Sequence, residues 1–493
     1  MLFNSYIFIF LFLPITLIGY FILGKFHLIK AARIWLLVTS LFFYGYWNPP
    51  YLLLMIASIV FNHQIGNAIA SAKLKSQQAK ILLWVGVIIN LASISYYKYA
   101  NFFLSSVNVL FKSNIILNEV FLPLAISFYT FTQIAYLVDA YRGETKDNKY
   151  DLITYSLFVA FFPQLIAGPI LRHDELIPQL NQVKNYLFSH KSFAYGITLF
   201  SLGLSKKVLI ADNISPWVAT AFSNINDLTF FESWVGALSY TFQLYFDFSG
   251  YSDMAIGLGL MFNIKLPINF DSPYKATSIS DFWRRWHITL SNFLRDYLYI
   301  PLGGSRRGEL RRYTNLITTM LLGGLWHGAG WTFILWGGLH GVYLSLNHGW
   351  RKLKTPFPGW FAWIITFLGV IFSWVFFRAA TLSDGLKMTA TMMGFYGINL
   401  PGEPRGKLGA LASLGIELNR WSNLEFLPLL GGSRLLAVLF LIGLILWVKF
   451  LPNTQEVMAK MQPTWWWAIA IATMTSFCLL SLNRVSEFLY FQF

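Results

Sequence analysis

Long apolar runs separated by short polar connections are the feature that most constrains how this chain folds. Nearly uncharged runs cover residues 6–23, 34–47, 51–69, 81–97, 121–138, 152–170, 234–263, 360–377, 435–448 and 465–482. A helix that crosses a bilayer needs about 20 apolar residues, with a range of about 17–25. Because backbone polar groups must be satisfied within the segment at membrane depth, these runs predict an all-α polytopic membrane protein. We expect about ten to twelve transmembrane or re-entrant helices.

The composition agrees with a protein embedded in lipid. Charged residues make up 12% of the chain, hydrophobic residues make up 56%, and the mean hydropathy is +0.53. Soluble proteins carry about 25% charged residues. The single cysteine, Cys478, lies in the last apolar run, so the chain offers neither an internal disulfide nor a cysteine-based metal site. We expect Cys478 to be a small buried hydrophobic residue.

Basic residues concentrate in alternate connections, which indicates how the chain is oriented. Lys and Arg occur in residues 25–33, 73–80 and 142–149, whereas 48–50 has none and 98–119 is sparse in charge. Basic connections stay in the cytoplasm, so the pattern places the N-terminus outside. The stretch 281–313, with seven arginines and three acids, is assigned to the cytoplasm as well. The net charge of +15 is therefore attributed to the basic connections that orient the chain in the membrane, and not to nucleic-acid binding.

The chain is expected to form one integral-membrane domain, residues 1–493. Its parts are N-terminal helices (1–150), a core (151–350) that includes the basic stretch 281–313, an extracytoplasmic loop (381–433) and C-terminal helices (434–493). Residues 6–23 are expected to be a retained first span, because no Lys or Arg precedes them and no small-residue cleavage site follows. The loop could dock a partner or act as a spacer. The aromatic residues that end the chain are expected at the membrane interface.

His327 is the first candidate for catalysis. Residues 313–346 contain no Asp, Glu, Lys or Arg, yet they hold His327 and His340. Ionisable groups at membrane depth are functional candidates by default, and an imidazole is suited to take a proton from a hydroxyl near neutral pH. Glycines on both sides of His327 allow close approach of backbone or ligand. Three tryptophans are expected to line an apolar channel beside it: Trp326, Trp331 and Trp336. The alternative is a histidine that only hydrogen-bonds a neighbouring carbonyl.

His287 is the second candidate, at the end of an aromatic and basic run. The run consists of Trp283, Arg284, Arg285, Trp286 and His287. If this segment is helical, Arg284, His287 and Ser291 share one face. Guanidinium groups bind phosphate in a bidentate manner, so this run is a candidate donor site at the cytoplasmic face. A second basic group consists of Arg306, Arg307, Arg311 and Arg312. The alternative for both groups is a basic loop that only sets topology.

Polar residues interrupt three other apolar runs. They are Gln243, Asp247 and Asp253 in one run, Asp139 with Arg142 in another, and Pro163-Gln164 with Gly168-Pro169 in a third. Non-helical backbone at membrane depth is tolerated only where it is buried in protein or lines a cavity. We therefore expect breaks at these places and an internal funnel. Asp247 and Asp253 have an alternative role as helix-packing acids paired with arginines.

Several enzyme classes lose support because their motifs are absent. The sequence has no phosphate-binding Walker loop, no dinucleotide-binding glycine fingerprint, no His-Glu-x-x-His and no Gly-x-Ser-x-Gly elbow. Each of these motifs supplies the ligands or nucleophile of its class. An ATP-driven pump, a zinc peptidase and a serine hydrolase are therefore disfavoured, and no residue pattern calls for a metal.

Six strings in this chain resemble the membrane-bound O-acyltransferase family, and in particular its bacterial branch of alginate O-acetylation and teichoic acid D-alanylation proteins. The strings are 161–170 (FFPQLIAGPI), 245–253 (YFDFSGYSD), 281–291 (DFWRRWHITLS), 299–304 (YIPLGG), 325–331 (LWHGAGW) with His340-Gly341, and 490–493 (YFQF). The resemblance covers most of the chain. It implies a ring of helices around a funnel, a tunnel between a cytoplasmic donor and an extracytoplasmic acceptor, and catalytic roles for His287 and His327.

The resemblance implies a multi-pass O-acyltransferase of the bacterial inner (plasma) membrane. The acyl group, with acetyl favoured, would pass from acetyl-CoA or carrier-bound phosphopantetheine to a hydroxyl of a cell-surface or secreted polysaccharide. His327 would act as general base or transient acyl carrier, and His287 would orient the donor or assist proton transfer. An extracytoplasmic acetyltransferase is the expected partner, with no tightly bound cofactor.

Two alternatives to acetyl transfer remain open. One is transfer of D-alanine from a carrier protein to teichoic acid. The other is a transporter that exports an acylated or lipid-linked saccharide. Transporters often contain inverted repeats, and the sequence shows no convincing internal repeat.

Overall fold

The computed structural model describes residues 1–115, 121–145, 149–166, 168–306, 308–353, 355–402, 415–482 and 489. The chain is 74% helical, with very little strand. This confirms the prediction of an all-α polytopic protein, because the apolar runs form helices rather than alternating strands.

The N-terminal part is a succession of mostly apolar helices. They are α1 (Leu13–Lys25), α2 (Ile29–Gly45), α3 (Pro49–Ser71), α4 (Gln77–Ile94), α5 (Ala100–Phe111) and α6 (Ile126–Arg142). A π-helical turn, Phe8–Phe12, precedes α1, and another, Ser95–Tyr99, joins α4 to α5. π-helical turns change the direction of the side chains that follow and often occur at functional sites. The second turn contains Lys98 and Tyr99.

The central part contains the longest helix and both candidate histidines. Its helices are α7 (Leu152–Ala160), α8 (Phe162–Leu165), α9 (His173–Leu180), α10 (His190–Ser205), α11 (Asp212–Ser223), α12 (Phe230–Met261), α13 (Ile279–Arg285), α14 (Ile288–Leu294), α15 (Glu309–His327) and α16 (Trp331–Lys352). Almost all of α12 is buried. It packs closely on α10, where a Cβ on Gly250 would lie only 2.7 Å from the carbonyl oxygen of Gly203. Small residues at such crossings let helices approach each other within a membrane.

The C-terminal part encloses one side of the core. Its elements are α17 (Gly359–Arg378), α18 (Leu382–Met392), β1 (Ile398–Pro401), β2 (Ile416–Asn419), α19 (Arg434–Phe450), α20 (Thr454–Lys460) and α21 (Trp465–Leu480). Strands β1 and β2 pair in parallel, with Ile398 opposite Ile416. A helix and two short strands lie within the stretch 381–433, and its position outside the membrane stays a prediction. Cys478 is fully buried, as expected, whereas the aromatic end of the chain lies outside the described residues except for Leu489.

Several helices are long and apolar enough to cross a membrane. Within the described ranges they are Phe8–Lys25, Pro49–Ser71, Gln77–Phe111, His190–Ser223 and Gly359–Arg378. The pair Arg434–Phe450 and Thr454–Lys460, bent by 56°, adds a sixth if it forms one span. This confirms a multi-pass membrane protein. Helix α6, with 17 residues, and helices α12, α15 and α16, which carry polar side chains, are outside this group. The larger span count stays a prediction.

The structure corrects two of the three predicted interruptions. Helix α12 continues through Gln243, Asp247 and Asp253, and α6 continues through Asp139 to Arg142. Only the third is a real break, since α7 ends at Ala160 and the short α8 begins at Phe162. Polar residues within a helix do not break it when a neighbouring helix supplies their partners.

Those partners are lysines, so the predicted pairing of the α12 acids with arginines is wrong. The ammonium of Lys207 lies 2.5 Å from Asp247 and 2.7 Å from Asp212, and that of Lys206 lies 2.6 Å from Asp253. Both lysines belong to a π-helical turn, Lys206–Ala211, which continues α10 along α12.

Candidate active site

His327 is the last residue of α15 and lies in an aromatic enclosure. Its imidazole centroid is 4.9 Å from the ring of Trp326, 5.1 Å from that of Trp336 and 5.2 Å from that of Phe377. The residue is 8% exposed, and no group in the described part of the chain hydrogen-bonds its imidazole. The enclosure confirms Trp326 and Trp336 as neighbours, whereas Trp331 is 55% exposed and packs on Phe102 instead.

The glycines near His327 let α15 and α16 lie in backbone contact. A Cβ on Gly337 of α16 would lie 2.2 Å from the carbonyl oxygen of Met320, and one on Gly324 of α15 would lie 2.2 Å from that of Phe333. Any larger residue at these positions would separate the two helices. The position of His327 therefore depends on this contact.

His287 faces His327 from a different backbone setting. The two imidazole centroids are 6.3 Å apart, and His287 is fully buried. The predicted single helical face of Arg284, His287 and Ser291 is wrong, because α13 ends at Arg285 and α14 begins at Ile288. Between them His287 has a φ of 44°, in the left-handed region that few residues other than glycine adopt. The turn carries the imidazole into the core, away from the surface arginines.

Asn269 fixes the tautomer of His287. The amide oxygen Oδ1 of Asn269 accepts the backbone N–H of Thr289 at 3.3 Å and its hydroxyl at 3.0 Å, and lies 3.1 Å from His287 Nδ1. A backbone N–H only donates, so the amide atom in this position must be the oxygen. His287 Nδ1 must then carry a hydrogen and donate it, which leaves Nε2 as the basic nitrogen when the imidazole is neutral.

The two tryptophans predicted to bind the donor are buried in the aromatic core. Trp283 donates its indole N–H to His340 Nδ1 at 3.2 Å, and Trp286 packs 4.9 Å from the ring of Trp374. His340 is fully buried on the same side. These contacts give both tryptophans a packing role in the wall behind the histidines, and their contact with a donor stays a prediction.

The predicted donor-binding arginines differ in their surroundings. Arg285 is paired with Asp281 at 3.0 Å and lies 3.7 Å from Asp271. Arg284 is exposed and lies within electrostatic reach of His348, as does Arg351. Arg312 Nη2 is 2.8 Å from His348 Nδ1. We call Arg284, Arg312, His348 and Arg351 the basic patch.

The second predicted arginine group lies farther from the histidines. Arg306 is exposed just before α15, and Arg307 lies outside the described residues. The 19 residues of α15 rise about 27 Å from its first residue to His327. Arg306 is thus near one end of α15 and the histidine pair near the other.

A pocket of about 130 Å³ opens beside His327. Its lining includes Trp47, Lys98, Ser127, Phe128, Trp326 and His327. Lys98 was not predicted, because a single lysine after an apolar run looks like the start of a polar connection. Asn269 was missed as well, because nothing near it in the sequence points to His287.

A group of ionisable residues elsewhere has the spacing of metal ligands. One ligand atom each from Asp139, Glu144 and His173 lies within 4.8 Å of the others. However, the carboxylate of Asp139 already lies 3.4 Å from Arg142 and 3.6 Å from Arg172. Burial lowers the pKa of His173, while nearby carboxylates act in the opposite direction. The two arginines already balance the acids, so we assign no metal to this group.

Comparison with known proteins identifies the family of this chain. Residues 88–383 match the MBOAT, membrane-bound O-acyltransferase family. The chain is 47% identical over 428 residues to a peptidoglycan O-acetyltransferase of Helicobacter pylori, covering 81% of each chain. It is 46% identical over 404 residues to a protein of Azotobacter vinelandii named "Probable alginate O-acetylase AlgI", covering 80% of this chain and 78% of that one.

A more distant relative transfers a different group. The teichoic acid D-alanyltransferase of Streptococcus thermophilus is 32% identical over 256 residues, covering 47% of this chain and 58% of its own. The matched family region contains both histidines, Asn269 and the pocket-lining Lys98. The chain belongs to the membrane-bound O-acyltransferase family and is an O-acyltransferase.

Proposed function

We propose that this enzyme transfers an acetyl group from a cytoplasmic thioester to a hydroxyl of an extracytoplasmic polysaccharide, within the bacterial inner membrane. The observation that carries the proposal is the buried pair of imidazoles, His327 and His287, whose centroids lie 6.3 Å apart. One of them borders a pocket. An acyl transfer between two hydroxyl- or thiol-bearing substrates requires a base at the point where they meet.

The charge pattern supports access from both sides of the membrane. The pocket beside His327 includes Trp47 and Lys98, which adjoin the connections 48–50 and 98–119 that the positive-inside rule assigns to the outside. The basic patch lies near the ends of α15 and α16 that this rule assigns to the cytoplasm. An acceptor hydroxyl would thus reach His327 from outside, and the donor would enter from the basic side.

His327 acts as the general base in the proposed reaction. It takes the proton of the acceptor hydroxyl while the hydroxyl oxygen attacks the thioester carbonyl carbon. The C–O bond of the ester forms, the C–S bond breaks, and the thiolate leaves with the proton returned by the imidazole. The enclosure by Trp326, Trp336 and Phe377 excludes water, which would otherwise compete with the acceptor as nucleophile.

His287 assists through the nitrogen that Asn269 leaves basic. With Nδ1–H donated to Asn269 Oδ1, Nε2 accepts hydrogen bonds rather than donating them. His287 therefore serves to orient a donor N–H or O–H, or to relay a proton, and is unsuited in its neutral form to stabilise an oxyanion.

The basic patch is the proposed contact for the donor phosphates. Arg284 is three residues from His287, and the patch continues from it to Arg312 in the first turn of α15 and to Arg351 in the last turn of α16. Guanidinium groups pair with phosphate through two parallel hydrogen bonds. Acetyl-CoA and carrier-bound phosphopantetheine both carry phosphate, so this patch suits either donor.

Acetyl transfer is favoured over D-alanyl transfer by the relatives. Those named for O-acetylation are 44–47% identical over about four fifths of this chain, whereas the D-alanyltransferase match covers about half. The named acceptors of these relatives, peptidoglycan and alginate, are both polysaccharides. We also propose that an extracytoplasmic acetyltransferase completes delivery to the acceptor.

The test uses the full chain, purified in detergent and supplied with radiolabelled acetyl-CoA. Wild type should transfer label to an added oligosaccharide, and His327→Ala should lower the rate by about 10²–10⁴-fold, the range that one general base contributes. His190→Ala is the matched control, since His190 is exposed at the start of α10 and should retain activity.

Each other outcome points to a different reading. If His327→Ala keeps the wild-type rate, the catalytic role of His327 is wrong. If wild type does not consume acetyl-CoA but acetylates polysaccharide in cells, either the donor is a carrier-bound thioester or a partner protein is required. Movement of a saccharide across vesicles with no acyl transfer would favour a transporter instead.

A further inference from the structure

We propose that Lys98 and Tyr99 are positioning residues that hold the end of α15, and with it His327, in the orientation that acyl transfer requires. This inference rests on the proposed catalytic role of His327. Both residues act from a neighbouring helix through hydrogen bonds to backbone carbonyls.

The last carbonyl groups of a helix have no partner within the helix. At the end of α15, the hydroxyl of Tyr99 donates to the carbonyl oxygen of Leu325 at 2.9 Å. The ammonium of Lys98 donates to the carbonyl oxygens of Trp326 at 2.6 Å and His327 at 3.0 Å. Two adjacent side chains thus satisfy the final three carbonyls of the helix.

The fourth carbonyl is satisfied from the chain that follows. The backbone N–H of Gly328 donates to the carbonyl oxygen of Gly324 at 3.3 Å. The end of α15 is therefore fully capped, although it is buried away from water. A positive charge at this end also complements the helix dipole, whose C-terminus is negative.

The hydrogen bonds of the Lys98 ammonium go to protein groups. The ammonium carries three N–H groups, and the third lies 3.4 Å from the hydroxyl oxygen of Ser127. No carboxylate in the described ranges pairs with it. Lys98 lines the pocket beside His327, but its hydrogen bonds go to the protein. This favours a role in holding His327 over a role in binding an anionic acceptor.

A local change in helix geometry places the two residues. Lys98 and Tyr99 end the π-helical turn Ser95–Tyr99. One extra residue in a turn rotates the side chains that follow by about 100° relative to an uninterrupted α-helix. The turn therefore sets the direction in which Lys98 and Tyr99 leave the helix, and both reach the end of α15.

The test measures O-acetylation of envelope polysaccharide in cells whose own copy is replaced by variants. The rate is expressed per enzyme copy, with the amount of folded protein checked by elution and melting in detergent. Lys98→Met should lower the rate by about 10²-fold, the effect of a displacement of about 1 Å at a catalytic group. Lys98→Arg should restore a large part of it, because a guanidinium keeps the charge and the donors.

Tyr99→Phe is the milder variant, with Tyr20→Phe as its matched control. Tyr20 is also fully buried and donates to a backbone carbonyl, that of Asn185 at 3.3 Å, but it is part of α1. We expect a several-fold loss of rate for Tyr99→Phe and none for Tyr20→Phe. If Lys98→Met does not accumulate as folded protein, the difference in rate between Tyr99→Phe and Tyr20→Phe tests the inference.

The inference is overturned if folded Lys98→Met works at the wild-type rate while His327→Ala is inactive. It is also overturned if Lys98→Arg is as inactive as Lys98→Met, or if Tyr99→Phe and Tyr20→Phe behave alike. Wild-type activity in His327→Ala is a separate result, because it contradicts the proposed role of His327 itself.

Discussion

Two lysines enter the helical core of this protein, and their partners are of opposite kinds. Lys207 lies in the seam between α10 and α12, is 1% exposed, and pairs with Asp212 and Asp247. Lys98, in the π-helical turn Ser95–Tyr99, contacts the end of α15 and donates to two backbone carbonyls and one hydroxyl. Lys207 neutralises two carboxylates, whereas Lys98 hydrogen-bonds the last carbonyl groups of α15 beside His327.

The difference separates stability from orientation. A buried ion pair is sensitive to loss of one member, because the other charge stays behind without a partner. A cap on neutral carbonyls leaves no opposite charge behind when it is removed. We therefore expect changes at Lys207 to act on folding and changes at Lys98 to act on turnover.

The largest effect is expected at Lys207. Lys207→Met removes the buried cation that lies between Asp212 and Asp247, so the free energy of unfolding should fall by about 3–5 kcal/mol. Thermal unfolding in detergent measures it. Lys206→Met is the control with a smaller expected loss, because Lys206 is 16% exposed and pairs with Asp253 alone. A folded Lys207→Met protein that has lost only turnover would contradict the comparison.

The next effect is expected where α15 meets α16. Gly337→Ala would place a Cβ 2.2 Å from the carbonyl oxygen of Met320, so the helices must separate. We expect a loss of about 1–3 kcal/mol in stability together with reduced acetylation, since α15 carries His327. Gly338→Ala is the matched control, as its Cβ would lie 3.4 Å from a Leu321 methyl. Equal effects of both substitutions would show that close approach is not the cause.

A smaller effect on turnover is expected at Asn269. Asn269→Leu removes the acceptor that fixes the tautomer of His287, so the rate should fall about tenfold or more if His287 takes part in proton transfer. Thr289→Val removes one hydrogen bond to the same oxygen but leaves the His287 contact, and should retain most activity. The comparison uses rates per folded enzyme. Full activity of Asn269→Leu would remove His287 from the mechanism.

The smallest effect is expected at the cytoplasmic arginines. Arg284→Ala should raise the KM for the donor by a few-fold, because an exposed charge contributes about 1 kcal/mol or less. The effect should shrink at high salt. Arg306→Ala should change the KM less, because Arg306 lies outside the basic patch. The reverse order would move the donor site from Arg284 towards Arg306.

The sequence was sufficient for the fold class and for singling out two histidines that the structure buries side by side. Apolar runs long enough to span a membrane predict helices, because a helix satisfies its backbone polar groups within the segment. A histidine within such a run is a functional candidate, because an ionisable group at membrane depth costs free energy. The break before Phe162 was also predictable, since Pro163 begins a new helical segment. These features depend on local composition.

Features that depend on distant partners were not predictable. Helix α12 stays continuous through its acids because Lys206 and Lys207 pack against it from α10. His287 adopts a left-handed conformation whose imidazole is held by Asn269, 18 residues earlier. Lys98 reaches carbonyls more than 200 residues away. In each case the decisive contact has no local pattern.

The π-helical turn at Ser95–Tyr99 has a consequence for how this enzyme can be altered. Its effect depends on the number of residues it contains and not on their side chains. Deleting one residue there would give a regular helix of good local stability, yet it would rotate Lys98 and Tyr99 away from α15 together. The number of residues between α4 and α5 therefore controls how His327, the proposed catalytic histidine, is held, and a single substitution leaves that number unchanged.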